Sequence, residues 1–430
     1  MSFTSVAASA VAEPAVHPGL AELAGAFAHA AIRWAVLRVP DGGFSAPCGD
    51  IDLFVHRDDR GRAARTLTEL RFVHLIRPGA DAHFIRYFAD SDSWIWLHVA
   101  ARIRLGGSEV PVDALLPSAT SMHAGTIPIV PHEARFWLLL WHCLADKGRV
   151  PAHHRASLVA SAPYARPQGE LGRRFAAGAG DPKASQVLRE AVNRRDWAAV
   201  DAAAVRPSRG TWRQRVSGAM RRLGRRAETA WRGRHLPGLT VAILGPDGAG
   251  KTTLVQSLTA TVRLPSRTIY MGLTGGALRH ARRLRMPPLT FVASAAVIWT
   301  RYLRGRYHRA RGRLVLFDRY IFDAVAPHPH RLPRWQQRER AWLGRICPGP
   351  DLVLFLDAPG MVMFARKHAY DAATLEEWRR HFRTLALRLS QFAAIDATRS
   401  PDCVRADATA RIWERYVSRT DPSRPRRIVP

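Results

Sequence analysis

A chain of 430 residues, 47% hydrophobic and 23% charged, is globular and long enough for two or three domains with separate cores. Its 65 Lys and Arg against 35 Asp and Glu give a net charge of +30. The basic residues are spread along the chain and only four are Lys (147, 183, 251 and 367), so they read as an Arg-rich coding bias. No specific nucleic-acid partner is expected, only a modest attraction to anionic surfaces or substrates.

In chain order, residues 1–19 read as a tail with no basic stretch before an apolar run, so no signal peptide is expected. Leu20 to Ile32 has helical spacing, and Trp34 to Arg38 reads as a strand. A turn-rich stretch leads to Gly49-Asp-Ile-Asp-Leu-Phe-Val55, a second strand carrying Asp50 and Asp52 two residues apart and therefore on one face. A helix over 57–70 and strands at 72–76, 83–88 and 93–101 follow. Two carboxylates on one strand face are what a two-metal phosphoryl-transfer site requires, so Asp50 and Asp52 are candidate metal ligands.

This order of helix, strand, turn and Asp-x-Asp strand resembles the nucleotidyltransferase superfamily over about residues 20–160. Members usually carry Gly-Ser at the end of the first strand and a third carboxylate on a later one. Here Arg38-Val39 stands at the first place, and Trp94-Ile-Trp-Leu-His98 carries no acid. The expectation is an α+β lobe of that fold with little or no transfer activity of its own.

From Pro131 the pattern turns helical, with Ala134, Trp137, Leu138, Trp141 and Leu144 forming an apolar stripe and further helices over 152–162 and 182–203. His153-His154 lacks metal-ligand spacing and reads as a pair of exposed loop histidines. The first domain, with this helical extension, is expected to span 20–204. Residues 205–237 carry ten Arg and one acid, with Trp212, Val216, Met220, Leu223 and Ala227 on one helical face. This basic linker helix is expected to pack between domains; weak contact with a membrane surface is the minority reading.

The apolar run Leu239 to Leu244 precedes Gly245-Pro-Asp-Gly-Ala-Gly-Lys-Thr-Thr253, and a helical pattern follows. Strand, Gly-rich turn and helix make a phosphate-binding loop whose backbone N–H groups gather round a polyphosphate. Gly245, Asp247, Gly248, Ala249, Gly250, Lys251, Thr252 and Thr253 are the candidate nucleotide-binding residues. Lys251 is placed to reach the β and γ oxygens, and Thr252 to hold Mg²⁺. Further apolar runs at 268–271, 314–317 and 352–356, with helical patterns between them, indicate a parallel sheet covered on both faces. Pro288 to Thr300 is too short to span a bilayer and reads as a buried helix. Two strands end in acids, Asp318 and Asp357, at the edge where sites on such sheets lie. Asp318 is a candidate to hold Mg²⁺ through water or to orient an acceptor hydroxyl, and Arg319 to clamp an anionic acceptor.

The phosphate loop, Asp318-Arg319-Tyr320 and Pro350-Asp-Leu-Val-Leu-Phe-Leu-Asp357-Ala-Pro together resemble the thymidylate kinase family, over about residues 238–418. Ile395-Asp-Ala-Thr398 and Pro401-Asp-Cys-Val404 resemble its last strand and closing helix. The resemblance implies a P-loop kinase fold, ATP and Mg²⁺, with Lys251, Asp318, Arg319 and Arg366 as catalytic groups; Arg366 and Lys367 both match its lid position. It also implies that Asp247 contacts the acceptor sugar and Arg319 orients the acceptor phosphate. The family's Arg-Glu-Pro-Gly-Gly stretch is replaced by Tyr270-Met-Gly-Leu-Thr-Gly-Gly276, followed by Arg279, Arg282, Arg283 and Arg285, read as a solvated helix face. dTMP is therefore expected to be a poor acceptor. The four cysteines stand far apart without metal spacing and suit a reducing cytoplasm.

The expected protein is a cytoplasmic ATP-dependent phosphotransferase acting on a nucleotide or another small anionic or sugar-containing molecule. Self-association as a homodimer stays open. The alternatives are an ATP-binding regulator with a ligand-binding first lobe, and a bifunctional nucleotidyltransferase-kinase.

Overall fold

The computed structural model describes residues 16–40, 42–75, 82–100, 102–105, 108–116, 127–203, 238–272, 287–325, 333–389 and 391–420. The basic segment 205–237, the Arg-rich stretch containing Arg279 to Arg285, and residues 1–15 and 421–430 lie outside them. The chain divides into two compact units, Met1–Arg86 with Ser93–Glu228, and Tyr87–Asp92 with Thr229–Pro430. Among the described residues no helix is long and apolar enough to cross a membrane.

The first unit is α+β. Helix α1 (Pro18–His29) leads into strands β1 (Trp34–Val36) and β2 (Asp50–Val55), then α2 (Arg60–Glu69) and strands β3 (Val73–Leu75), β4 (Ala82–Phe88) and β5 (Ser93–Ala100). The sheet order is β1-β2-β5-β4-β3, with β1 antiparallel to β2 and β2 parallel to β5. A hairpin of β6 (Arg102–Leu105) and β7 (Ser108–Pro111) follows.

Among the described residues, five α-helices follow: α3 (His132–Trp141), α4 (Ala152–Ser161), α5 (Glu170–Ala179), α6 (Ala184–Asn193) and α7 (Trp197–Ala202). Phe136, Trp137, Leu140, Phe175 and Leu188 share one core with Ala35, Phe54 and Ala100 of the sheet. The helical region is therefore packed on the strands. The single helix expected over 182–203 is two, because Arg195 takes a left-handed conformation (φ 58°) that ends the first. His154 corrects the reading of exposed loop histidines: it is buried on α4, and burial with the surrounding cations Arg38 and Lys147 depresses its imidazole to about 4.

The second unit is a doubly covered parallel sheet. It comprises β8 (Leu239–Leu244), α8 (Lys251–Thr261), β9 (Ser266–Tyr270), α9 (Pro287–Ala310), β10 (Leu314–Asp318), α10 (Ile321–Val325), α11 (Arg334–Ile346), β11 (Leu352–Asp357), α12 (Gly360–Arg366), α13 (Ala372–Ala386), β12 (Phe392–Asp396) and α14 (Pro401–Thr420). Strand order is β12-β11-β8-β10-β9, and the four pairings are parallel. The three middle strands are buried almost throughout, which is why they read as continuous apolar runs. Each such buried aliphatic side chain contributes about 1.5–3 kcal/mol.

The stretch expected as a buried helix is the first half of α9, which buries one side only. Thr290, Ser294 and Ile298 face inward, while Val292, Trp299, Leu303 and Tyr307 are exposed. Its apolar run signals an amphipathic surface helix with an apolar outer edge.

Candidate active site

Strand β8 is central, and the chain leaves its carboxyl end through the Gly245–Lys251 turn into α8. Two glycines make that turn feasible. Gly250 caps α8 at φ 94°, and no side chain caps the helix, so its first N–H groups face the loop as an anion site requires. Gly248, at φ 89°, sits so close to α12 that a Cβ would lie 2.3 Å from the Met363 carbonyl oxygen. Thr252 is exposed at the start of α8 and Thr253 follows it.

Lys251 is buried, and its ammonium donates to the carbonyls of Gly245 at 2.6 Å and Pro246 at 2.8 Å. It also lies 3.5 Å from Asp247 Oδ1. Burial pushes the Lys251 ammonium below its ordinary value, against the pull of Asp323 and Asp247. Asp247 gathers three cations: Arg319 donates to Oδ1 at 2.7 Å, Lys251 stands on the same oxygen, and Lys367 lies 3.6 Å from Oδ2. Burial alone would raise its carboxyl; these cations hold it below the usual carboxylate range.

Arg319 comes from the turn after β10. Asp318, the last residue of that strand, stands beside Ile243 of β8 and Tyr270 of β9. Arg319 adopts φ 67°, a left-handed conformation that costs a non-glycine residue about 1–2 kcal/mol. The next residue anchors the turn: the Tyr320 ring is buried and its hydroxyl donates to the Pro348 carbonyl at 2.5 Å. A strained backbone fixed by a buried neighbour and aimed at the phosphate loop is typical of a functional position. Burial works against the Arg319 charge, but Asp247 and Asp323 outweigh it and raise its affinity for the proton.

The structure thus brings Asp247, Lys251 and Arg319 together and adds Lys367, the residue after α12. Arg366, the last residue of α12, is exposed. Of the two residues at the expected lid position, Lys367 is the one that lies against the loop. Asp357 serves another purpose: Arg379 and Arg383 of α13 both bind its carboxylate, tying that helix to the end of β11. Sequence reasoning missed Asp323 on α10. Both its carboxylate oxygens are buried without a hydrogen-bond partner among the described residues. Burial raises it to about 7 despite Lys251 and Arg319. The only signal was an acid one short turn after Asp-Arg-Tyr, where most such acids are solvated.

In the first unit, Asp50 is exposed and Asp52 is half-buried on β2. Asp52 pairs in register with His98 on β5, and its Oδ1 lies 2.9 Å from His98 Nδ1. His83 of β4 stacks on His98 with ring centroids 4.7 Å apart, and accepts a hydrogen bond from Trp96 Nε1. The residue expected only to stand where an acid was missing is bonded to one of the two aspartates. Among the described residues no group of three or more His, Cys, Asp or Glu is arranged to hold a metal ion.

No family model matches the chain. Curated proteins do match it. A thymidylate kinase of Xanthomonas oryzae pv. oryzae is 31% identical over 191 residues, 40% of this chain and 82% of that protein. One from Deinococcus radiodurans is 29% identical over 203 residues, 41% of this chain and 98% of its own length. Another, from Xanthomonas campestris pv. campestris, is 31% identical over 196 residues, 40% of this chain and 82% of that protein. A phosphate-loop parallel sheet, a strand-end Asp-Arg aimed at it and this extent of identity agree: through about two fifths of its length, the chain belongs to the thymidylate kinase family.

Proposed function

We propose that the second unit transfers the γ-phosphoryl group of MgATP to a nucleotide or another small anionic or sugar-containing acceptor. The observation that supports this most is the joining of Asp247, on the phosphate loop, to Arg319, on the acceptor-side turn, beside the buried Lys251. A protein that only bound ATP would have no use for an arginine held in strained geometry at that place.

Lys251 would exchange its two loop carbonyls for β and γ phosphate oxygens, where a compact ammonium fits better than a planar guanidinium. The uncapped start of α8 would cradle the same phosphates. Thr252 and Asp318 offer a hydroxyl and a carboxylate at one sheet edge, the hard oxygen donors that Mg²⁺ takes alongside water. Bound there, the metal would neutralise charge on the phosphates. Asp247 and Arg319 would orient the acceptor, and Lys367 would add positive charge over the transferring group. With Tyr270-Met-Gly-Leu-Thr-Gly-Gly276 where the family carries an acid, dTMP would be a poor acceptor.

The first unit would be a nucleotidyltransferase-like lobe with a binding role. Support comes from its mixed sheet with Asp50 and Asp52 on β2, and from the engagement of Asp52 by an imidazole instead of a third carboxylate. An imidazole suits Zn²⁺ better than Mg²⁺. Labelled ATP with Mg²⁺, screened against nucleosides, nucleoside monophosphates and phosphosugars, tests the kinase reading. Absence of transfer to every acceptor and to water would refute it.

A further inference from the structure

Among the described residues at this edge of the sheet, Asp323 is a charged group to which the proposed chemistry gives no task. Asp323 lies on α10, the short helix entered directly from Asp318-Arg319-Tyr320, at the carboxyl edge of the sheet where the phosphate loop also stands. Both carboxylate oxygens are buried, and neither has a hydrogen-bond partner among the described residues. Lys251 and Arg319 attract it, and Asp247 and Asp318 repel it. Its influence on Lys251 ranks ahead of that of Asp247, which stands 3.5 Å away. An unpaired buried carboxylate costs several kcal/mol, and proteins hold such groups where chemistry uses them.

The charge count narrows that use. Among the described residues, three carboxylates (Asp247, Asp318, Asp323) and three cations (Lys251, Arg319, Lys367) gather around the loop. A phosphate-monoester acceptor brings two negative charges and attacks through an oxygen that is already ionised, so it needs cations and no base. A third carboxylate beside Lys251 and Arg319 works against it. A hydroxyl acceptor has the opposite needs: it brings no charge at its reacting oxygen, and its proton must leave. A carboxylate with no hydrogen-bond partner among the described residues, set beside the phosphate loop, meets both.

Building on the kinase reading, we propose that Asp323 accepts the proton of an alcohol hydroxyl, and that the acceptor is phosphorylated on a hydroxyl rather than on a phosphate. The acceptor oxygen forms its bond to the γ-phosphorus as the bond from that phosphorus to the β-bridging oxygen breaks. ADP leaves with the bonding pair, and the hydroxyl proton passes to Asp323 and then to solvent. Atoms and charge balance as alcohol plus ATP giving phosphate ester, ADP and one proton. Raised to about 7, the carboxyl is also basic enough to take that proton and acidic enough to release it near neutrality.

The test uses the full chain with MgATP and two sets of probes: hydroxyl acceptors (water, nucleosides, free hexoses) and nucleoside monophosphates. Wild type, Asp323→Asn, Asp323→Ala and Asp323→Glu are compared for phosphate transfer and, by equilibrium titration, for nucleotide affinity. Wild type should phosphorylate a hydroxyl probe, or hydrolyse ATP, faster than it phosphorylates any monophosphate. Asp323→Asn and Asp323→Ala should lose about 100-fold of that rate, the middle of the range for general-base catalysis. Both should bind MgATP at least as tightly as wild type, and Asp323→Glu should recover part of the rate. Hydroxyl transfer unchanged in Asp323→Asn, or a wild type that prefers monophosphates, overturns the inference and leaves the kinase reading standing. A wild type that neither binds nor turns over MgATP overturns both.

Discussion

Asp247 and Arg319 stand 72 residues apart in the chain and meet at 2.7 Å, so that the phosphate loop and the turn after β10 form one charged unit. Both side chains are part-buried; Asp247 does most to offset the burial of Arg319, while Lys251, Arg319 and Lys367 together offset that of Asp247. The loop proposed to grip a triphosphate and the arginine proposed to grip an acceptor are thereby set at a fixed separation.

Asp247→Ala removes the carboxylate on which Arg319, Lys251 and Lys367 converge. It should destabilise the second unit by about 1.5–3 kcal/mol, the usual loss for hydrogen bonds to charged groups. The acceptor KM should rise more than the ATP KM. A double-mutant cycle with Arg319→Ala should show strong non-additivity; additive effects would mean that the pair does not act as one unit.

The left-handed backbone at Arg319 separates strain from charge. Arg319→Ala and Arg319→Gly should both lose transfer, since both lack the guanidinium. The glycine variant should be the more stable by about 1 kcal/mol, because only it relieves the backbone. Thermal melting of the two variants decides; equal melting temperatures would remove the argument from strain.

Gly248→Ala places a methyl group where the Met363 carbonyl of α12 already stands, at a positive φ. Nucleotide affinity should fall at least tenfold as α12 or the loop moves aside, while far-UV circular dichroism stays unchanged. Wild-type affinity in this variant would show that the loop adapts freely.

Asp323 sets a pH dependence whose sign follows from its burial. Its carboxyl titrates near 7 in the folded chain and near 3.8 when unfolded. Between these values the folded state binds one more proton, so its contribution to stability falls as pH rises from 4 to 7. Asp323→Asn should therefore be more stable than wild type at pH 8, and the gap should close as pH drops toward 4. Melting temperatures across that range test it; a gap independent of pH would mean that the carboxyl is not held protonated by its surroundings.

How much of this was readable beforehand depended on whether chemistry or packing fixed the residue. The phosphate loop was legible because its function demands small residues at fixed spacing between a buried strand and a helix. The β10 and β11 strands were legible because both faces are covered, so every position is apolar. Asp357 looked like Asp318, and only packing against Arg379 and Arg383 separates an anchor from a site residue. His98 was legible only as the residue in an acid's place; its bond to Asp52 depends on the β2–β5 register, which no local pattern encodes. Asp323 was invisible for the same reason, since burial of a single acid is decided by what folds over it.

Lys251 carries the central claim, and one measurement bears on it most directly: transfer of the labelled γ-phosphate of ATP by wild type and by Lys251→Ala, each also titrated with nucleotide. Wild type should transfer label to a small acceptor or to water, with dTMP a poor substrate. Lys251→Ala should lose that transfer while keeping the wild-type circular dichroism spectrum. Undiminished turnover in Lys251→Ala would contradict the assignment of this loop as the seat of phosphoryl transfer.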